Sequence, residues 1–167
     1  NVEARVEDVT SLSLRASYDV AVCSEVIEHL PGSQRALANI AKALRPGGVL
    51  ILTTPHAYST AELFARLLVF PLVRGVVRRL YAEHVEDLGH INRLTRAALL
   101  QQIHEAGFDV LEQYDCGLYL PGVAEFCGKP GQRLAAWLEG GLRRIPLLRE
   151  LLWTQCYVLR KKQASDA

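Results

Sequence analysis

Methionine is missing from all 167 residues, and the chain opens on Asn1. A translation product starts with methionine, so the expectation is a chain that begins inside a longer one. Residues 1–20 hold no basic segment followed by an apolar one, and so do not read as a secretory signal. Cysteine is sparse and scattered. Cys23, Cys116, Cys127 and Cys156 form no C-x-x-C pair, which excludes zinc-knuckle spacing and a disulfide framework and predicts buried thiols in a reducing cytoplasm. Long apolar runs are lacking too. The nearest, Leu63 to Val77, is broken by Arg66, Pro71, Arg74 and Gly75, too often for a transmembrane helix. Charge of one sign is not in excess either: Lys+Arg 19 against Asp+Glu 18 leaves +1, no bulk signature of nucleic-acid binding. No stretch matches GxGxxG or a P-loop.

What is present is a globular composition, 50% apolar and 22% charged, of a size for one domain. Tyr18–Cys23 and Gly48–Thr54 are short apolar runs that read as strands buried on two faces, the pattern of a parallel sheet. Between them, Ser33 is positioned to cap a helix running to about Leu44, with Leu37, Ile40, Ala41 and Leu44 as its stripe. Arg45-Pro46-Gly47-Gly48 ends it. Val2–Val6 reads as an earlier strand, and 57–81 as two helical pieces hinged at Pro71. Thr95 caps a helix to Ala106, closed by Gly107, and Phe108–Tyr114 and Thr154–Leu159 read as the last strands. A Gly/Pro-rich loop at 121–131 and helices near 132–143 and 147–152 fill the interval. The whole is one α/β domain.

Ligands in open α/β sheets bind beyond the carboxyl ends of the strands. After Cys23 comes Ser24-Glu25-Val26-Ile27-Glu28-His29. In a helical turn, Glu25, Glu28 and His29 share one face, a set suited to Mg²⁺ or Mn²⁺, or to a general base and its partner. A solvated face with His29 bonded to backbone accounts for the same spacing. His56 follows the second strand, and His84 and His90 lie in the polar stretch 83–92; His104 falls within a helix and reads as structural.

Asp8-Val9, then SYDVAVCSEVIEHL, ALRPGGVLILTTPH, HINRLTRAALLQQIHEAGFDV and the closing TQCYVLRKK resemble, in order and spacing, the later motifs of class I S-adenosylmethionine-dependent methyltransferases. The resemblance implies a Rossmann-like doubly wound sheet, mostly parallel with an antiparallel last strand. It also implies an N-terminally truncated domain over 1–167, with a helical insertion at about 115–152. Asp8 and Val9 match the position that contacts adenine. Val22, Cys23 and Ser24, with Glu25 beside them, match the strand end against the cofactor's methionine part. Glu-x-x-Glu-His resembles the metal set of small-RNA 2′-O-methyltransferases and is shared by ubiquinone-pathway O-methyltransferases. That resemblance implies a Mg²⁺ site at Glu25, Glu28, His29 and His90, with His29 or His90 as the alternative metal-free base.

The implied activity is methyl transfer from S-adenosylmethionine to the oxygen of a small or lipid-like acceptor, in the cytoplasm. Leu63–Arg79 mixes apolar and basic residues, which reads as a lid or peripheral membrane contact, or as core packing with a solvated Arg face. Two other readings stand beside this one. The chain is a non-catalytic remnant or partner subunit, or it is a metal-dependent RNA 2′-O-methyltransferase, although it has no basic, aromatic-interleaved surface.

Overall fold

The β-branched run that starts at Tyr18 forms strand β1, Tyr18–Ser24, in the computed structural model, which describes residues 2–67, 70–72, 75 and 90–163. Helix α1, Ser33–Ala43, leads into strand β2, Leu44–Pro55, which pairs in parallel with β1 from Val20 opposite Val49 to Ser24 opposite Thr53. The helix ends where Arg-Pro-Gly-Gly begins, as expected, but those four residues bulge out of β2: Tyr18 faces Leu44 and Val20 already faces Val49. Glycine is required there. Gly47 has φ +77, and a Cβ on Gly48 would lie 2.9 Å from the Arg45 carbonyl oxygen and 3.2 Å from that of Asp19. Arg45 Nη1 spans the bulge to Asp19 Oδ1 at 2.6 Å.

Ser33 does not cap α1. Gly32 holds that position. The Ser33 hydroxyl is buried, donating to Gln102 Oε1 at 2.8 Å and accepting from Asn92 Nδ2 at 2.7 Å, so it is already committed to remote partners. Helix α2 spans Thr60–Leu67; the second helical piece beyond Pro71, and His84, fall largely outside the described residues. Helix α3, Arg96–Glu105, is capped by Thr95, whose Oγ1 accepts from the Ala98 N–H at 3.3 Å, and Gly107 leaves it at φ +83. Strand β3 is Phe108–Cys116 and strand β4 is Thr154–Lys161. The loop expected at 121–131 is instead part of helix α4, Val123–Leu142, which absorbs its Gly/Pro sequence as a kink at Gly128 (φ 53, ψ −139) ahead of Pro130. A short 3₁₀ turn, Leu148–Leu151, precedes β4. Val2–Val6 is not a strand: no described strand pairs with it, and Val2 and Val6 are fully exposed.

The sheet order is β1-β2-β4-β3, with β4 antiparallel to both neighbours. One face presents Cys23, Leu50, Leu52, Tyr157 and Leu159 to Leu37 and Ile40 of α1 and Leu99 and Ile103 of α3, and this is the core. Among the described residues nothing packs over the outer ends of the other face. Val20, Val22, Ile51 and Tyr114 lie exposed on it, which overturns the expectation that β1 is buried on both sides. The face carries a continuous apolar row, Val22 opposite Ile51 and Ile51 opposite Val158.

This asymmetry predicts two different mutational costs. Leu52→Ala should lose about 2–5 kcal/mol in urea denaturation, whereas Val22→Ala should stay within about 0.5 kcal/mol. Equal losses would mean that both faces are packed.

Candidate functional site

The chain leaves β1 through a strained residue. Glu25 sits at φ +51, a left-handed conformation that costs a non-glycine residue roughly 1–2 kcal/mol, and its N–H donates to the Thr53 carbonyl at 3.0 Å. The next residues form a 3₁₀ turn, Ile27–His29, anchored by the fully buried Ile27. Asn92 ties this turn to the distant segment before α3: its N–H donates to the Glu28 carbonyl at 2.9 Å. His90 is thereby carried up to His29, with ring centroids 5.1 Å apart and edge-on.

Glu28, His29 and His90 each offer a ligand atom, all within 4.8 Å of one another. Glu28 is 2% exposed. Its Oε2 accepts from Thr54 Oγ1 at 2.9 Å, while Oε1 has no hydrogen-bond partner among the described residues and lies 3.8 Å from His29 Nε2. Leaving a buried carboxylate oxygen unsatisfied costs about 1–3 kcal/mol or more, so the site is chemically incomplete. A cation or a proton donor at that oxygen would complete it. Glu25 does not join this set. Its carboxylate accepts from Thr53 Oγ1 at 2.9 Å, and burial, with Glu28 nearby, holds it above the usual carboxylate range despite that bond. The left-handed turn at Glu25 replaces the regular helical turn that would have aligned it with Glu28 and His29.

Among the expected cofactor residues, Ser24 shares a 2.8 Å hydrogen bond with Thr53 Oγ1 at the strand end, and Cys23 is buried, its thiol pushed up to about 11 by burial. Asp8 caps a 3₁₀ turn, Val9–Ser11, with its carboxylate accepting from the Thr10 N–H at 2.8 Å; these bonds hold it below the usual range. Val9 packs partly against the core. Cys156 is pushed up to about 12 by burial and by Cys116, whose sulfur is 3.8 Å away. All four thiols are free, but only Cys23 and Cys156 are buried as expected; Cys116 is half-buried and Cys127 exposed.

The sequence reading missed Glu62, Asn92 and Arg93. With Glu28, Pro55, Ala57 and His90 they line one small cleft. Glu62 is 1% exposed; His90 Nδ1 bonds its Oε1, and Arg93 Nε donates to its Oε2 at 2.8 Å. Asn92 and Arg93 belong to the quoted HINRLT motif, but nothing local marks Glu62. His56 is at the strand end as expected yet faces inward. It is 1% exposed, its backbone N–H donates to the Trp153 carbonyl at 2.7 Å, and its ring Nδ1 accepts from the Tyr58 backbone N–H at 3.1 Å. His104 is exposed on α3.

With this geometry in view, the sequence matches a family described as a methyltransferase domain over residues 2–113, and the chain belongs to that family. It is 33% identical over 63 residues to the ubiquinone biosynthesis O-methyltransferase of Rickettsia prowazekii, covering 38% of this chain and 24% of that protein. It is 34% identical over 80 residues to the ubiquinone biosynthesis O-methyltransferase of Xanthomonas oryzae pv. oryzae, covering 44% of this chain and 34% of that one. The match thus spans about a quarter to a third of these relatives' length. In fold the chain is similar to an S-adenosylmethionine dependent methyltransferase from Mesorhizobium loti (TM-score 0.54, 18% identity, 93% of this chain and 67% of that one). It is also similar to the cyclase SpnF (TM-score 0.56, 17% identity, 96% and 56%). These likenesses show the Rossmann-like fold of that class.

Burial holds His56 below the ordinary imidazole value of 6.5, so the folded chain takes up this proton at lower pH than the unfolded chain. The associated stability is intact above that value and is lost as pH falls through it. Urea midpoints should therefore drop between about pH 7.5 and about pH 5, and drop less in His56→Gln. Equal drops would assign the loss to other groups.

Proposed function

We propose that this chain carries the acceptor side of an S-adenosylmethionine-dependent methyltransferase acting on a hydroxyl oxygen of a small or lipid-like molecule. The observation that carries this reading is Glu28: a buried carboxylate oxygen without a hydrogen-bond partner among the described residues, beside two imidazoles, just past the end of β1. Methyl transfer from a sulfonium is an in-line displacement, and a hydroxyl acceptor must shed its proton on the way. His29, half exposed, or His90 takes that proton, and the Glu28 carboxylate stabilises the imidazolium that results. A divalent cation such as Mg²⁺, when bound, would be held by Glu28, His29 and His90 and would lower the pKa of the acceptor hydroxyl.

Asp8, Val9, Cys23, Ser24 and Glu25 are the residues we assign to S-adenosylmethionine. The Ser24 hydroxyl and Glu25 carboxylate offer acceptors to the methionine ammonium, and Val22, exposed on the same face as Ser24, offers an apolar contact, whereas the Cys23 side chain points into the core and contributes only its backbone at the strand end. A lipid-like acceptor is favoured by the exposed Leu63 and Leu67 on α2 with Arg66 between them. No described helix is long and apolar enough to cross a membrane. The four free cysteines favour a cytoplasmic setting.

Residues 1–167 form, in this reading, one incomplete methyltransferase domain with its helical insertion at about 115–152. The open sheet face supports this, because a parallel pair such as β1–β2 is ordinarily covered on both sides. The same observation favours a second reading, in which the chain alone does not hold the cofactor.

Calorimetry with S-adenosylhomocysteine separates the two: micromolar binding by the 167-residue chain sinks the second. In a preparation that turns over, Glu28→Ala should lower kcat about 10²-fold or more with little change in KM for the cofactor. Undiminished turnover in that variant would remove Glu28 from the chemistry. Full activity in the presence of a chelator would remove the cation and leave the imidazole base.

A further inference from the structure

We propose that Glu62 is a positioning residue that fixes the tautomer of His90. The inference rests on the reading above that His90 works in the site, and it names the group that prepares it. Glu62 belongs to the first turn of α2, where its N–H donates to the buried Ser59 hydroxyl at 3.2 Å, so its backbone is fixed by a cap. Its side chain is buried and both oxygens are spoken for: His90 Nδ1 on Oε1, and Arg93 Nε on Oε2 at 2.8 Å.

An ionised carboxylate has only lone pairs to give. Arg93 supplies the positive charge that this buried carboxylate needs. The proton shared between Glu62 and His90 therefore belongs to Nδ1, and Nε2 is the nitrogen left with a free lone pair. Neutral imidazole in water prefers the opposite arrangement, so the bond selects a minor form. A carboxylate behind a working histidine commonly fixes ring orientation and tautomer in this way. Either role given to His90, proton acceptor or cation ligand, needs that lone pair. Glu62 comes from α2 and His90–Arg93 from the segment ahead of α3, so the pairing also fixes how these two elements meet over the cleft.

The test reads the proton directly. Long-range proton–nitrogen correlation spectra of uniformly ¹⁵N-labelled protein distinguish protonated from bare imidazole nitrogens, and His90→Gln assigns the ring. The wild-type chain should show His90 protonated at Nδ1 and bare at Nε2. In Glu62→Gln, Arg93 should retain the amide oxygen and turn the amide nitrogen toward His90, which reverses the tautomer to Nε2–H. A wild-type ring protonated at Nε2 would overturn the proposal, as would a Gln variant that folds and keeps the Nδ1–H form. Should that variant fail to fold, the wild-type spectrum decides alone. Where turnover is measurable, Glu62→Gln should lower kcat about 10–100-fold at nearly constant cofactor KM. An inactive chain with the expected tautomer would count against the methyl-transfer reading and leave the Glu62 assignment standing.

Discussion

A carboxylate taken out of water must find hydrogen-bond donors or positive charge, and two of them, Glu28 and Glu62, are buried around the same cleft. They meet that demand differently. Glu62 is compensated within the chain by His90 and Arg93 on its two oxygens. Among the described residues, Glu28 has a donor, Thr54, on one oxygen and no hydrogen bond on the other. One carboxylate is therefore compensated on both oxygens, and the other on one. The histidines stand between them, His90 bonded to the first and His29 close to the second.

The rest of the fold explains how such a cluster is held. β1 delivers the turn with Glu28 and His29, β2 supplies Thr53 and Thr54 to hold the carboxylates of Glu25 and Glu28, and Asn92 reaches back to lock the turn. Asn92 Nδ2 also donates to Ser33, whose hydroxyl donates in turn to Gln102, so α1, the cleft and α3 share one polar chain beside the apolar core. Among the described residues the core lies on one side of the sheet. Covering that side secures α1 and α3, and the strand ends between them are where the polar groups collect.

The sequence made much of this legible. The strand–helix–strand unit, the Thr95 cap and the closing strands follow from apolar periodicity and punctuation, because short local rules govern them. Glu28 and His29 were visible as neighbours, and His90 as part of a motif. What local rules could not supply was the left-handed Glu25, which removes that residue from the set, or the diversion of Ser33 from capping to a long-range bond. Glu62 was invisible for the same reason. An acidic residue in the first turn of a short helix is ordinary, and only the return of residues 90–93 across α2 gives it a partner. The open face of β1 was misread because an apolar run reports the burial a strand can accept, not the layers present to provide it.

Family membership narrows the chemistry more than the fold does. A cyclase and a methyltransferase both share this chain's architecture at under 20% identity, so the sheet and its strand ends do not by themselves choose a reaction. The choice falls to side chains at those ends. Here they form a graded series, from the exposed His29 through the enclosed His90 to the fully buried Glu62 and its Arg93 counterion. The orientation of His90 is set from the buried end of that series, where Glu62 is held in turn by Arg93. The arrangement differs from a solvated helix face of the same composition in that Glu28 and Glu62 are buried, and the partner that holds His90, Glu62, lies outside the Glu-x-x-Glu-His motif.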